Sequence, residues 1–240
     1  MNITKIFADK KNNLWDAKCP TIAFLGDSVT QGCFDCYIKE NGELDTYYEQ
    51  EYTYHGYVKK IFAHLFPTVP VHIINAGICG DNAIHAAERL SEDVLKFDPD
   101  LTVVCFGLND SRGGIEGIPA YYEALKKIFE DLKNAGSEVI FMTPNMMNTK
   151  ISCHLKEAAI IDAAKECMQV QVTGILEAYI EKAKEAAKET GVRVCDVYAK
   201  WKLMHENGVD TTEILANKIN HPTHFMNWMF AYSLVEEMMK

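Results

Sequence analysis

The stretch that decides the fold is Thr21-Ile22-Ala23-Phe24-Leu25-Gly26-Asp27-Ser28-Val29. Its first five residues carry no charge, which is typical of a strand buried inside a sheet. Gly26 and the polar pair after it predict a tight turn at the carboxyl end of that strand. Open α/β sheets bind their ligands at this end of the strands, so Ser28 is a candidate functional residue.

Four further apolar runs rich in β-branched residues also predict strands, and amphipathic segments separate them. The predicted strands span residues 21–25, 69–74, 101–106, 138–143 and 192–197. The predicted helices span about residues 56–65, 82–96, 118–134, 152–190 and 224–239. Alternating strands and helices predict a parallel sheet covered on both faces. With right-handed crossovers, we expect a three-layer α/β/α fold with a flavodoxin-like sheet of five strands in the order 2-1-3-4-5.

Composition indicates one folded domain over residues 1–240, with residues 1–20 as an N-terminal extension. The net charge of -10 argues against nucleic acid or an anionic membrane surface as a partner, because both attract basic patches. No run approaches the roughly 20 apolar residues of a membrane helix, and residues 1–18 show no secretory signal. We therefore expect a cytoplasmic protein whose eight cysteines are reduced, with a small molecule as its partner and a homo-oligomer as an open possibility.

Three strand ends bring polar groups to one place in this predicted topology. Ser28, Gly80 and Asn109 follow the first, second and third strands, which lie side by side, so their loops should meet at the topological switch point. Acyl transfer needs a nucleophile, a base and donors for an oxyanion. Ser28 offers a hydroxyl, Gly80 a backbone N–H, Asn109 an amide and His221 an imidazole. Each residue alone also has a structural explanation as a cap or turn residue.

These segments together resemble the blocks of the GDSL, or SGNH, hydrolase family. The matching residues are Gly26-Asp27-Ser28, the loop from Gly77 to Gly80, Gly107-Leu108-Asn109-Asp110, and His221-Pro222. The resemblance implies that Ser28 is the nucleophile and His221 the base, with the Ser28 N–H, the Gly80 N–H and the Asn109 amide as the oxyanion hole. It implies a serine ester hydrolase that uses no cofactor or metal and removes short acyl groups, above all acetyl groups of carbohydrates. A lysophospholipase or acyl-thioesterase is the alternative within the class.

One block departs from the family pattern. The family usually places an aspartate about three residues before the base, where it orients the imidazole, but position 218 is a lysine. Asn217 could take over that role without supplying a charge. The other candidates for orienting the imidazole are Asp210 and a backbone carbonyl that would complete a Ser-His dyad. Because this acid is missing, a non-catalytic binding module of the same fold is an alternative function.

Two other patterns have weaker functional interpretations. His221 and His224 have a spacing that could pair them on a metal, but no third ligand stands out, and we predict no metal site. Cys33 and Cys36 resemble half of a redox or zinc motif without a second pair, and their oxidation could distort the nucleophile loop.

The predicted substrate contacts are Asp27, Gly77 and Tyr54. Tyr54 belongs to a tyrosine-rich stretch, residues 47–57, at the end of the long connection after the nucleophile turn. Long loops often bind ligands, and tyrosine rings suit stacking on sugars. Packing on the core and a subunit interface are the alternative roles of this stretch.

Overall fold

The central feature of the computed structural model, which describes residues 3–240, is a parallel sheet of five strands. These strands are β1 (Thr21–Gly26), β4 (His72–Gly77), β5 (Leu101–Cys105), β6 (Glu138–Met142) and β7 (Arg193–Cys195). Their spatial order is β4-β1-β5-β6-β7. Every neighbouring pair is parallel. Numbered among themselves the five strands run 2-1-3-4-5, so the predicted α/β fold and strand order are confirmed.

Helices cover both faces of this sheet. They are α1 (Ile3–Asn12), α2 (Ser28–Gln31), α3 (Tyr54–Leu65), α4 (Ala83–Asp93), α5 (Ile118–Asn134), α6 (Ala158–Val172), α7 (Ile175–Thr190), α8 (Val197–Glu206) and α9 (His224–Met238). Strand β1 shows why both faces need cover. Phe24 belongs to one apolar core and its neighbour Leu25 to the other, because successive strand residues point to opposite faces. Every residue of β1 is buried, as its uncharged sequence predicts.

Residues 1–20 are more than an extension, as far as the structure describes them. Helix α1 contributes fully buried Ile3 and Phe7 to one core. The ring of Phe7 stacks on that of Phe62 in α3 with their centroids 4.4 Å apart. Helix α1 is therefore packed into this core.

Three elements differ from the sequence-based expectation. The segment 152–190 forms two helices, α6 and α7, because Gly174 interrupts it with a left-handed backbone (φ 78°). Helix α8 was not predicted. The long connection after the nucleophile turn contains an antiparallel hairpin of β2 (Cys33–Ile38) and β3 (Leu44–Tyr48). Asn41-Gly42 lies at its turn, a dipeptide that favours tight hairpins.

None of the helices within residues 3–240 is both long enough and apolar enough to span a membrane.

Candidate active site

Ser28 is the first residue of α2, and only Asp27 separates it from the end of β1. The side chain of Asp27 caps this helix by accepting the Val29 N–H at 3.0 Å, and Gly32 ends it with a left-handed backbone (φ 107°). The first N–H groups of a helix have no partner within it, so the Ser28 N–H is available to a ligand. The side chain of Ser28 is almost fully buried at the bottom of a cleft.

Two glycines let α2 sit this close to the strand ends. A Cβ added to Gly26 would lie 2.0 Å from Thr30 Oγ1, and one added to Gly77 would lie 2.2 Å from the Gln31 nitrogen. Neither contact is sterically possible, so a side chain at either position would displace the nucleophile helix. Gly77 therefore serves the packing of β4 against α2.

The imidazole of His221 lies within hydrogen-bond distance of Ser28. Its Nε2 lies 3.0 Å from Ser28 Oγ, and its Nδ1 lies 3.1 Å from the carbonyl oxygen of Phe34. A carbonyl only accepts, so Nδ1 carries the proton and Nε2 is free to accept the Ser28 hydroxyl. Burial lowers the pKa of His221 to about 4, although the bond to Phe34 opposes this shift. The ring is therefore neutral at neutral pH and able to take a proton.

The backbone carbonyl of Phe34 thus occupies the place of the acid that the sequence lacks. Asp210 is directed elsewhere, to an ion pair with Lys150. Lys218 adopts a left-handed backbone (φ 58°), and its amine bonds the Glu213 carbonyl oxygen at 2.6 Å. Of the three orienting groups considered from the sequence, the structure supports the backbone carbonyl, in a Ser-His dyad.

Asn217 holds the loop of His221 through its backbone and not through a hydrogen bond to its ring. Its Oδ1 accepts the N–H groups of Ile219, Asn220 and His221, each at 3.0 Å. On the other side of the loop, the Asn145 amide donates to the Asn220 carbonyl at 2.8 Å. We therefore correct the role of Asn217 from ring orientation to loop positioning.

Gly80 and Asn109 lie in the same cleft as Ser28 and His221, as the predicted topology requires. Gly80 has a left-handed backbone (φ 79°) with no atom near a hypothetical Cβ, so conformation and not space favours glycine there. Asn109 donates one amide hydrogen to the Asp81 carbonyl at 2.9 Å. An amide has a second hydrogen, which leaves Asn109 able to donate to a ligand.

Buried acids hold these loops together. Asp110 accepts the Ala83 N–H at 2.8 Å, which joins the loop after β5 to the start of α4. Arg89 binds Asp81 at 2.6 Å and the Gly26 carbonyl at 3.3 Å, which joins α4 to the end of β1. Burial raises the pKa of Asp27 to about 7 and that of Asp110 to about 6. These contacts fix the spacing between the nucleophile and the two predicted oxyanion donors.

The cleft itself has a volume of about 270 Å³. Its walls come from the hairpin, the three strand-end loops, α6 and the His221 loop. They consist of Ser28, Cys36, Leu44, Asp45, Thr46, Tyr48, Cys79, Gly80, Asn109, Arg112, Ala163, Cys167, Asn217, Ile219, Asn220 and His221. Neither the hairpin wall nor the Phe34 carbonyl was predicted from the sequence. The Asn41-Gly42 dipeptide marks the turn of the hairpin, whereas nothing in the sequence marks the carbonyl.

The three predicted substrate contacts do not line this cleft. Tyr54 is fully buried, and its hydroxyl lies 2.7 Å from Thr30 Oγ1, so it supports α2 from below. Asp27 is buried as the cap of α2, and Gly77 faces the backbone of that helix. All three instead lie against or within the turn and helix that carry Ser28.

The two histidines considered as a metal pair have separate partners. His221 bonds Ser28 and Phe34, whereas His224 stacks on Tyr52 with a centroid distance of 4.2 Å and lies 3.1 Å from Glu49 Oε1. Across residues 3–240, no group of three histidine, cysteine or acidic side chains is arranged to hold a metal ion.

The sequence matches the model of the GDSL-like lipase/acylhydrolase family over residues 24–227. That range covers most of the chain and contains Ser28, Gly80, Asn109 and His221. A search of curated proteins found no match.

Similar folds occur among solved structures. Axe2, an acetylxylan esterase from Geobacillus stearothermophilus, is 20% identical with a TM-score of 0.66, over 91% of this chain and 94% of that one. LAE5, an α/β hydrolase enzyme from the metagenome of Lake Arreo in Spain, is 17% identical with a TM-score of 0.67 over the same shares, 91% and 94%. Axe2 variants described as catalytic mutants replace a serine, a histidine and an aspartate. At these identities the likeness establishes the fold.

Proposed function

This chain belongs to the GDSL-like lipase/acylhydrolase family, and we propose that it removes short acyl groups, acetyl above all, from small carbohydrate esters. The observation that carries the proposal is the 3.0 Å contact between Ser28 Oγ and His221 Nε2, inside a cleft that also holds Gly80 and Asn109.

The proposed reaction has two halves. His221 Nε2 takes the proton of Ser28 as Oγ attacks the acyl carbon, and the N–H groups of Ser28 and Gly80 with the Asn109 amide bind the oxyanion. The imidazolium then protonates the leaving alcohol, which leaves the acyl group on Ser28. Water, deprotonated by His221, hydrolyses that acyl-enzyme. During both halves the Phe34 carbonyl holds the Nδ1 proton in place.

The small volume of the cleft and the polar side chains on part of its wall support a short acyl group on a polar alcohol. A volume of about 270 Å³ lies just below the roughly 300–1,000 Å³ of drug-sized ligand sites. Its lining includes the polar side chains of Asp45, Thr46, Arg112 and Asn220, which can bond sugar hydroxyls. Axe2, whose name specifies acetylxylan, has the same fold.

Hydrolysis of p-nitrophenyl acetate and p-nitrophenyl octanoate by the wild type and Ser28→Ala tests the proposal. We expect Ser28-dependent turnover of the acetate ester that declines with chain length, and a loss of at least about 10³-fold in Ser28→Ala. Ser137→Ala is the matched control, because Ser137 is also buried but lies at the opposite, amino-terminal edge of β6. Acetylated xylo-oligosaccharides would be tried next.

Three other results would change the conclusion. A preference for octanoate would favour the lysophospholipase or thioesterase alternative. Turnover that survives Ser28→Ala would refute the nucleophile. Failure of a fluorophosphonate to label Ser28, together with no turnover of any ester, would favour the binding module.

A further inference from the structure

The hydrogen bond that orients His221 joins two separate segments of the chain. Phe34 belongs to β2 of the hairpin, whereas His221 lies in the loop before α9, and 3.1 Å separate the carbonyl oxygen from Nδ1. The hairpin forms a sheet of its own with two strands, and a two-stranded hairpin is marginally stable by itself. Contacts with the rest of the protein must therefore fix the position of the Phe34 carbonyl.

His224, the first residue of α9, contacts both strand ends at the base of the hairpin. Its ring lies 4.5 Å from that of Phe34 between centroids, with the two planes at 80°. Its Nε2 lies 3.1 Å from Glu49 Oε1, directly after the end of β3. A carboxylate only accepts, so Nε2 donates this bond. Because His224 follows His221 by three positions, these contacts join the hairpin to the segment that carries the base.

The ring contacts of His224 matter more than its polar bond. Tyr52 stacks on the same imidazole with a centroid distance of 4.2 Å and an interplanar angle of 14°. Phe34 is buried, and packed aromatic rings attract each other beyond the area that they bury. The side chains of His224 and Glu49 are 42% and 40% exposed, and exposed pairs of this kind contribute little to stability.

We propose that His224 is a positioning residue, whose ring contacts with Phe34 and Tyr52 hold the hairpin where the Phe34 carbonyl accepts the Nδ1 proton of His221. His224 is not among the residues that line the cleft, so it acts on the base through Phe34. Without its ring the carbonyl moves away from Nδ1, and the imidazole loses the group that fixes its tautomer and orientation. The effect on turnover rests on the proposed esterase function, whereas the effect on the hydrogen bond does not.

Two substitutions of His224 separate the ring contacts from the bond to Glu49. His224→Ala removes both, whereas His224→Phe keeps an aromatic ring and loses only the polar bond. A misplacement of about 1 Å in an active site can cost about 10²-fold in rate, so kcat for p-nitrophenyl acetate should fall by that order in His224→Ala with KM unchanged. His224→Phe should recover most of the lost turnover. Phe225→Ala is the matched control, because this neighbouring ring on α9 is 73% exposed, and its kcat should equal that of the wild type.

The NMR signal of the His221 Nδ1 proton reads the orienting bond directly in the full-length protein. Buried, hydrogen-bonded N–H protons exchange slowly with water, and His221→Ala identifies the signal by its disappearance. The signal should shift or exchange faster in His224→Ala and return in His224→Phe. Tyr52→Ala, which removes the second ring from the other side, should shift it in the same direction. His55 is the internal reference, because its Nε2 lies 2.9 Å from the Thr30 carbonyl oxygen, and its signal should stay unchanged in every folded variant.

Several results would overturn the proposal. An unchanged His221 signal in both His224→Ala and Tyr52→Ala would refute it, even if kcat falls, because the loss would not then act through the Phe34 carbonyl. A signal lost equally in His224→Ala and His224→Phe would refute the role of the ring contacts. Because the NMR measurement needs no activity, it decides the positioning role even if the ester substrates are not turned over.

Discussion

Replacing Asn217 with alanine tests how the loop of His221 is held. The substitution removes an oxygen that accepts three backbone N–H groups at 3.0 Å each. Asn217 is buried, so water can replace only part of what is lost. Since the side chain makes no hydrogen bond to the imidazole, the effect should come from movement of the loop and not from a change in the chemistry of the ring.

The magnitude follows from the number of bonds. A hydrogen bond contributes about 1 kcal/mol net, so Asn217→Ala should lower the free energy of unfolding by about 3 kcal/mol. In a chain of this size each kcal/mol corresponds to about 2–4 °C in Tm, which predicts a fall of about 6–12 °C. If the loop moves by about 1 Å, the 3.0 Å contact between His221 and Ser28 is lost. We then expect kcat to fall about 10²-fold.

The assay combines thermal unfolding with ester hydrolysis across pH. We expect a lower Tm, a lower kcat, little change in KM and an unchanged acid limb of the pH profile. The control is Asp210→Ala, because Asp210 pairs with Lys150 at the surface, and its kcat should equal that of the wild type. Wild-type kcat and Tm in Asn217→Ala would refute the positioning role. A loss of kcat confined to Asp210→Ala would show that the orienting acid is Asp210 after all.

Three further predictions concern other parts of the site. Because burial lowers the pKa of His221 to about 4 and the base must be neutral, kcat/KM should stay constant just below neutral pH and fall only as pH approaches about 4. A limb centred near 6.5, the ordinary pKa of histidine, would contradict the effect of burial on the ring. Asn109→Ala should lower kcat about 10²–10³-fold if its amide binds the oxyanion, and kinetics equal to wild type would remove it from that role. Tyr54→Phe removes the hydroxyl that hydrogen-bonds Thr30, so it should lower the free energy of unfolding by about 1 kcal/mol and leave KM unchanged. A raised KM at wild-type stability would show that Tyr54 contacts substrate.

The parts of the fold that could be predicted are those with strong local patterns. Strand β1 has an uncharged sequence because both its faces are buried. The helix 118–134 was predicted with the bounds that the structure shows, since its apolar residues recur at the helical period. The hairpin was not predicted although Asn41-Gly42 marks its turn, because its two strands are short and lie within one long connection.

The parts of the candidate site that could be predicted are those that topology alone brings together. Ser28, Gly80 and Asn109 each follow a strand of the sheet, so the strand order places them in one cleft. The burial of Tyr54 could not be predicted, because a tyrosine-rich segment looks the same in sequence whether its rings face solvent or core. Only packing shows that Tyr54 is the buried start of α3.

The sequence by itself determined the nucleophile turn, the parallel sheet and the strand ends from which the site is built, because these depend on local apolar patterns and on chain topology. Tertiary structure alone decided what orients His221. The partner is the backbone carbonyl of Phe34, 187 positions away, and every residue type carries such a carbonyl. No sequence pattern can mark a backbone group as a catalytic partner. Its role arises only when the hairpin folds against the His221 loop.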